Sequence, residues 1–273
     1  MKIRVALIGN PNVGKSVIFN SLTGLKQHTG NWPGKTVEKK EGYYTFDDYE
    51  FEVVDLPGVY SLSAVSEDER VARQFIVDHR PDVVVDILNA SQLERNLYLT
   101  LLLIELQVNL VVVLNMYDVV NARGDRINLE ALSQKLGAPV IATTATKKEG
   151  IEELKEAIVR ATPMHVLENS RAESKMPANE HLPGDINGND HLHYHPRFHH
   201  HGEYERLRPP AIKYGPEIES KLKDIVSIIE QDKELLERFP PRWLALRLLE
   251  RDTEILELVI DLDLKRRVLE VTL

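Results

Sequence analysis

Over the first 165 positions, apolar residues fall in short dense runs that alternate with stretches of helical spacing. Strand-type runs are read near 3–8, 37–46, 49–55, 82–88, 108–114 and 139–143, and helices near 15–23, 66–79, 93–105, 129–136 and 150–161. This alternation predicts an α/β domain, a sheet covered by helices on both faces. Only Asp47 and Asp48 separate the second run from the third, so those two pair as an antiparallel hairpin within an otherwise parallel six-stranded sheet. The helix start Gly150-Ile151-Glu152-Glu153-Leu154 closes the domain, taken as residues 1–165.

From 166 to 211 the periodicity is lost. Pro and Gly recur, and seven of the ten histidines lie between His181 and His201, which reads as a His-rich flexible linker. His191, His193, His195, His199, His200 and His201 are imidazoles of the kind that suit Fe²⁺, Ni²⁺ or Zn²⁺, yet such composition fixes no geometry. The larger share of the reading goes to a polar linker. Beyond it, Ile218, Leu222, Ile225, Val226 and Ile229 mark an amphipathic helix over 217–239, stopped by Pro240 and Pro241. Apolar stripes then continue through 242–272, so 212–273 is expected to form a small all-α helical domain with Trp243 in its core.

Composition narrows the partners. The 34 basic and 43 acidic residues leave a formal charge of −9, which argues against a nucleic-acid ligand. Cysteine is absent, excluding disulfides and thiolate metal sites. The chain enters a strand at once, leaving no room for a signal peptide. The longest apolar candidate, 97–114, is broken by Glu105, Gln107 and Asn109 and is too polar for a membrane span.

Chemistry enters with Gly9-Asn10-Pro11-Asn12-Val13-Gly14-Lys15-Ser16, which follows the first strand and precedes a helical pattern opening on Val17. The spacing G-x-x-x-x-G-K-S turns successive N–H groups onto a β-phosphate at a helix N-terminus. Lys15 then reaches the β/γ oxygens and the Ser16 hydroxyl ligates Mg²⁺. Asn115-Met116-Tyr117-Asp118, at the end of another strand, selects the base: Asp118 accepts two hydrogen bonds from the N1–H and amine of guanine, which adenine does not offer. Asp55-Leu56-Pro57-Gly58 puts Asp55 toward Mg²⁺ and the Gly58 N–H toward a γ-phosphate. Thr36, in the loop after the first helix, completes the metal shell only when a γ-phosphate is present. Thr144-Ala145 brings the Ala145 N–H to the guanine carbonyl. The set predicts a GTP/GDP switch. In Ras-like proteins a Gln after D-x-x-G orients the attacking water; Val59 stands there instead, so hydrolysis is expected to be slow.

The chain resembles the ferrous iron transport protein B family. The likeness rests on the phosphate loop 9–16 and on Gly30-Asn31-Trp32-Pro33-Gly34-Lys35-Thr36-Val37-Glu38. It extends through Asp55-Leu56-Pro57-Gly58-Val59-Tyr60-Ser61-Leu62 and Leu93-Glu94-Arg95-Asn96-Leu97-Tyr98-Leu99-Thr100, and ends on Arg242-Trp243-Leu244-Ala245 with Leu249-Glu250-Arg251-Asp252. It spans nearly the whole chain outside about 168–210. The resemblance implies a P-loop GTPase domain followed by a helical domain that acts like a GDP-dissociation inhibitor. Both would be joined to a C-terminal Fe²⁺ permease and lie at the cytoplasmic face of the cell membrane. Small cytosolic iron-transport accessory proteins are implied partners, and oligomerisation is left open. Asn12 resembles the Asn that ligates K⁺ in potassium-activated GTPases, where carbonyls of the 30–32 segment complete the shell; with Lys15, Thr36 and Gly58 it forms the expected catalytic set. Asn89 stands where relatives often have Asp, remote from the nucleotide motifs. Two other readings compete: a free cytosolic GTPase of the ribosome-assembly type, and a nucleotide-dependent scaffold that barely hydrolyses GTP.

Overall fold

The computed structural model describes residues 2–24, 26–63, 65–174, 212–259 and 261–272. The His181 to His201 tract, with most of the expected linker, lies outside them. One sheet organises the N-terminal unit. Its strands are β1 (Ile3–Gly9), β2 (Gln27–Asn31), β3 (Glu38–Phe46), β4 (Tyr49–Asp55), β5 (Val83–Asn89), β6 (Leu110–Asn115) and β7 (Val140–Ala142), in the order β2-β3-β4-β1-β5-β6-β7. The β4-β1-β5-β6-β7 part is parallel, and β3 pairs antiparallel with β4 from Lys40↔Asp55 to Phe46↔Tyr49, as the Asp47-Asp48 turn requires.

The sheet has seven strands, which corrects the expectation of six. The added strand, Gln27–Asn31, is exposed at every position and pairs antiparallel with β3 (Gln27↔Gly42 to Asn31↔Glu38). An edge strand that buries no face has no alternation to display, and backbone hydrogen bonds alone define it. By contrast β1, β5 and β6 are buried almost throughout, the pattern of parallel strands covered on both sides.

The helices are α1 (Lys15–Thr23), α2 (Glu67–Gln74), α3 (Leu93–Glu105), α4 (Tyr117–Arg123), α5 (Leu129–Leu136), α6 (Ile151–Ala161) and α7 (Met164–Ser174). Helix α2 passes into a π-helical turn, Phe75–His79. The 97–114 run divides between α3 and β6, and no helix among the described residues is long and apolar enough to cross a membrane. Two helices were not anticipated. Short α4 starts from Met116 in the left-handed region (φ 59) and ends at Gly124, while α7 occupies the opening of the expected linker with Val166 buried.

In the C-terminal unit the single helix expected over 217–239 is broken in two, and the apolar stripes of 242–272 divide among three helices. Observed are α8 (Pro216–Ile229), α9 (Lys233–Arg238), α10 (Pro241–Leu249), α11 (Thr253–Leu258) and α12 (Leu262–Val271). The cause is local. Asp232, Asp252 and Asp261 accept from the backbone N–H of Leu235, Ile255 and Leu264, so each carboxylate starts a new helix. Trp243 is fully buried and stacks on Phe239, with ring centroids 5.2 Å apart, confirming its place in the core.

Charged side chains join the two units. Arg73 of α2 bonds Asp252 at 2.5 Å and also Glu254, Arg238 bonds Asp78 at 2.7 Å, and Arg242 lies 3.4 Å from Glu105. Arg73 and the Asp252 side chain are both buried, so removing Arg73 would strand the Asp252 carboxylate at a cost of about 3–5 kcal/mol, whereas Arg73 keeps Glu254 if Asp252 is lost.

Asp86 of β5 is a second buried carboxyl, bonded by the Thr100 hydroxyl at 2.6 Å. Burial pushes it up to about 7, against a small opposing effect of the Thr100 bond. The folded state therefore holds a proton that the unfolded chain releases near pH ~3.9, so this group's contribution is full below that pH and declines until pH passes 7. Asp86→Asn keeps the acceptor for Thr100 and removes the titration. We expect the variant to be more stable than the parent by roughly 2–4 kcal/mol at about pH 8, with the difference shrinking by about 2 kcal/mol near pH 5.5. Urea titrations at the two pH values check this; a pH-independent difference would contradict it.

Candidate functional site

The motifs converge at the C-terminal ends of the parallel strands, where doubly wound sheets hold ligands. β1 ends at Gly9, the 10–14 loop turns, and α1 begins at Lys15. The backbone here tolerates few residues. Gly14 has φ +87, and a Cβ on it would stand 2.3 Å from the Asn115 amide; one on Gly9 would stand 2.3 Å from the Ile87 carbonyl oxygen. Asn12 also lies in the left-handed region (φ 65), which Asn adopts more readily than most residues, and it is exposed at the loop crest.

Lys15 donates to Asp55, the residue that ends β4. Asp55 is largely buried, and its carboxyl is pushed above the usual carboxylate range by burial, while Lys15 pulls the other way. Ser16 follows at the helix start, its side chain among exposed positions. These are oxygen donors of the type that fits Mg²⁺: a hydroxyl and a carboxylate. Gly58 lies close against Pro11, where an added Cβ would meet Pro11 Cα at 3.3 Å, and the Val59 N–H donates to the Gly9 carbonyl at 3.1 Å. Val59 itself is only 2% exposed and packs in the main core, so position 59 offers the site no polar side chain.

Asn115 ties the parts together. Its Nδ2 donates to the Val13 carbonyl at 2.9 Å, while its Oδ1 accepts from the Thr143 hydroxyl and the Ala145 N–H, each at 3.1 Å. The phosphate loop and the two base-side segments are thus fixed to one buried amide. Asp118, at the start of α4, is half-exposed, with Lys147 Nζ 3.8 Å away. Met116 caps α4, and Thr144, itself buried, opens the 3-10 turn Ala145–Lys147. The Ala145 N–H expected to meet the guanine carbonyl is engaged by Asn115, so a base would share that donor. The motif spacing names the segments that meet here but not Thr143 or Lys147; for Thr143, a hydroxyl two residues from Ala145 was the available signal.

Thr36 is brought to a different neighbour. It is exposed, and its hydroxyl lies 3.4 Å from Glu67 Oε2 at the start of α2. The preceding segment runs along the same helix: Lys35 Nζ bonds Gln74 Oε1 at 3.0 Å, and Trp32, 8% exposed, meets Phe75 edge-on at 5.4 Å.

Comparison with known proteins identifies the lineage. The family described as ferrous iron transport protein B matches residues 3–158, and the FeoB cytosolic helical domain matches 214–271. The Fe(2+) transporter FeoB of Shigella flexneri is 48% identical over 163 residues, which are 58% of this chain and 21% of that protein. A Fe(2+) transport protein A/FeoB fusion protein of Porphyromonas gingivalis is 36% identical over 254 residues, 93% of this chain and 26% of the fusion. A crystal structure of an S. thermophilus NFeoB variant bound to GDP superposes with a TM-score of 0.77 at 31% identity, covering 100% of this chain and 88% of that one. The chain spans about a fifth to a quarter of the length of these curated relatives.

Proposed function

We propose that this chain, which belongs to the ferrous iron transport protein B family, is a GTP-hydrolysing switch that regulates Fe²⁺ uptake from the cytoplasmic face of the cell membrane. One observation supports this above the rest: Asn115 bonds the phosphate loop and the 143–145 segment at once, holding phosphate and base sites in a fixed relation. Residues 1–165 would form the GTPase domain, 166–211 the linker, and 212–273 a helical domain that steadies the GDP form. The family match over 214–271 favours this reading over a free GTPase of the ribosome-assembly type. A permease for Fe²⁺, as part of the longer relatives, is the implied partner. The fusion in P. gingivalis supports a small accessory protein as another.

Within the site, Gly9 to Val17 and Gly58 would surround the phosphates, with Asn115, Met116, Asp118, Thr144 and Ala145 around the base. Ser16, Asp55 and Thr36 would hold Mg²⁺, which when bound offsets phosphate charge. Lys15 leaves Asp55 for the phosphate oxygens. With Val59 in the core, no side chain at that position orients water, and turnover on the order of 10⁻⁴–10⁻² s⁻¹ is expected without further help. Asn12, exposed beside the phosphate site, is the residue assigned to K⁺. We expect phosphate release from GTP to be faster in KCl than in NaCl, and Asn12→Ala to remove that difference while sparing GTP affinity. Equal rates in the two salts for the parent would defeat the K⁺ assignment.

A further inference from the structure

The Mg²⁺ role given to Thr36 has a competitor in the fold. Along 32–36, three contacts lie on α2 and the π-helical turn that continues it: Trp32 on Phe75, Lys35 on Gln74, and Thr36 on Glu67. Among the described residues, the Thr36 hydroxyl bonds Glu67 alone. The helix beneath is itself anchored, since Arg73 bonds the Leu62 carbonyl, Asp252 and Glu254. The Trp32 ring is buried at this contact. The Glu67 contact, exposed and at 3.4 Å, is weak but specific to the one hydroxyl the metal needs.

We propose that Glu67 is a positioning residue for the switch: with Gln74 and Phe75 it docks the 32–36 segment on α2, and metal with γ-phosphate must draw Thr36 away from it. Glu67 therefore opposes the GTP form and leaves the GDP form untouched, because only the first uses the Thr36 hydroxyl. A ligand shifts such an equilibrium only by its differential affinity for the two positions. Removing the carboxylate thus tightens one nucleotide and not the other. This inference rests on the GTP-switch reading above.

The test is a pair of titrations, of GDP and of a non-hydrolysable GTP analogue with Mg²⁺, on the parent, Glu67→Ala and Glu130→Ala; the last removes an equal charge from α5. Glu67→Ala should bind the analogue roughly two- to fivefold more tightly, the scale of an exposed polar contact, with GDP affinity unchanged and Glu130→Ala like the parent. Trp32 gives a second readout. The chain has two tryptophans, and Trp243 is fully buried, so a red shift of emission on adding the analogue, absent with GDP, reports Trp32 leaving Phe75. Equal changes for both nucleotides, a matching effect of Glu130→Ala, or no emission shift would overturn the proposal. Failure of the parent to bind either nucleotide would instead overturn the switch reading on which it stands.

Discussion

Lys15→Ala abolishes tight nucleotide binding without unfolding the chain. Its ammonium is the charge at the mouth of the phosphate loop, and two charge-assisted bonds to phosphate oxygens at about 1.5–3 kcal/mol each make the expected loss roughly 10²–10⁴-fold. The cost to the fold is smaller. Lys15 lies at the edge of the core and bonds Asp55, whose carboxyl burial already raises, so losing the ammonium raises that carboxyl further and eases its protonation. Circular dichroism of the variant should match the parent while a fluorescence titration finds no tight binding. Parent-like affinity with a native spectrum would contradict the phosphate-loop assignment.

Asp118→Asn should weaken GTP binding and redirect base choice. The carboxylate accepts from both the N1–H and the amine of guanine, whereas an amide accepts one bond and turns its own donor toward the amine. Each bond lost from a charged acceptor costs about 1.5–3 kcal/mol, so GTP affinity should fall at least roughly tenfold. The same amide matches xanthine, which has a carbonyl where guanine has its amine. Lys147 contributes little to this balance, because it is exposed and 3.8 Å from the carboxylate. The Asn115 lattice is untouched by the substitution, so fold and phosphate grip persist.

What could be read from the sequence follows from what was buried. Strands β1, β5 and β6 are nearly continuous apolar runs because helices cover both faces, and the phosphate loop, D-x-x-G and N-x-x-D motifs mark the ends of β1, β4 and β6. Strand β2 had no such signature: Gln-His-Thr-Gly-Asn buries nothing and is held by the backbone of β3. In the helical unit the apolar period continued across Asp232, Asp252 and Asp261, and the caps that break it depend on three single carboxylates. Pro240 and Pro241 were legible because their effect is covalent. The ion pair from Arg73 to Asp252 joins residues 179 apart, and Glu67 belongs to no motif, so neither was accessible from spacing.

The most direct test of a guanine-nucleotide switch is displacement of a fluorescent GDP from the parent and from Asp118→Asn by GTP, ATP and XTP. GTP alone should displace it efficiently from the parent, and XTP should displace it from the variant more efficiently than GTP does. Displacement of the parent's ligand by ATP as readily as by GTP, or a variant with the parent's preference, would contradict a guanine-nucleotide switch.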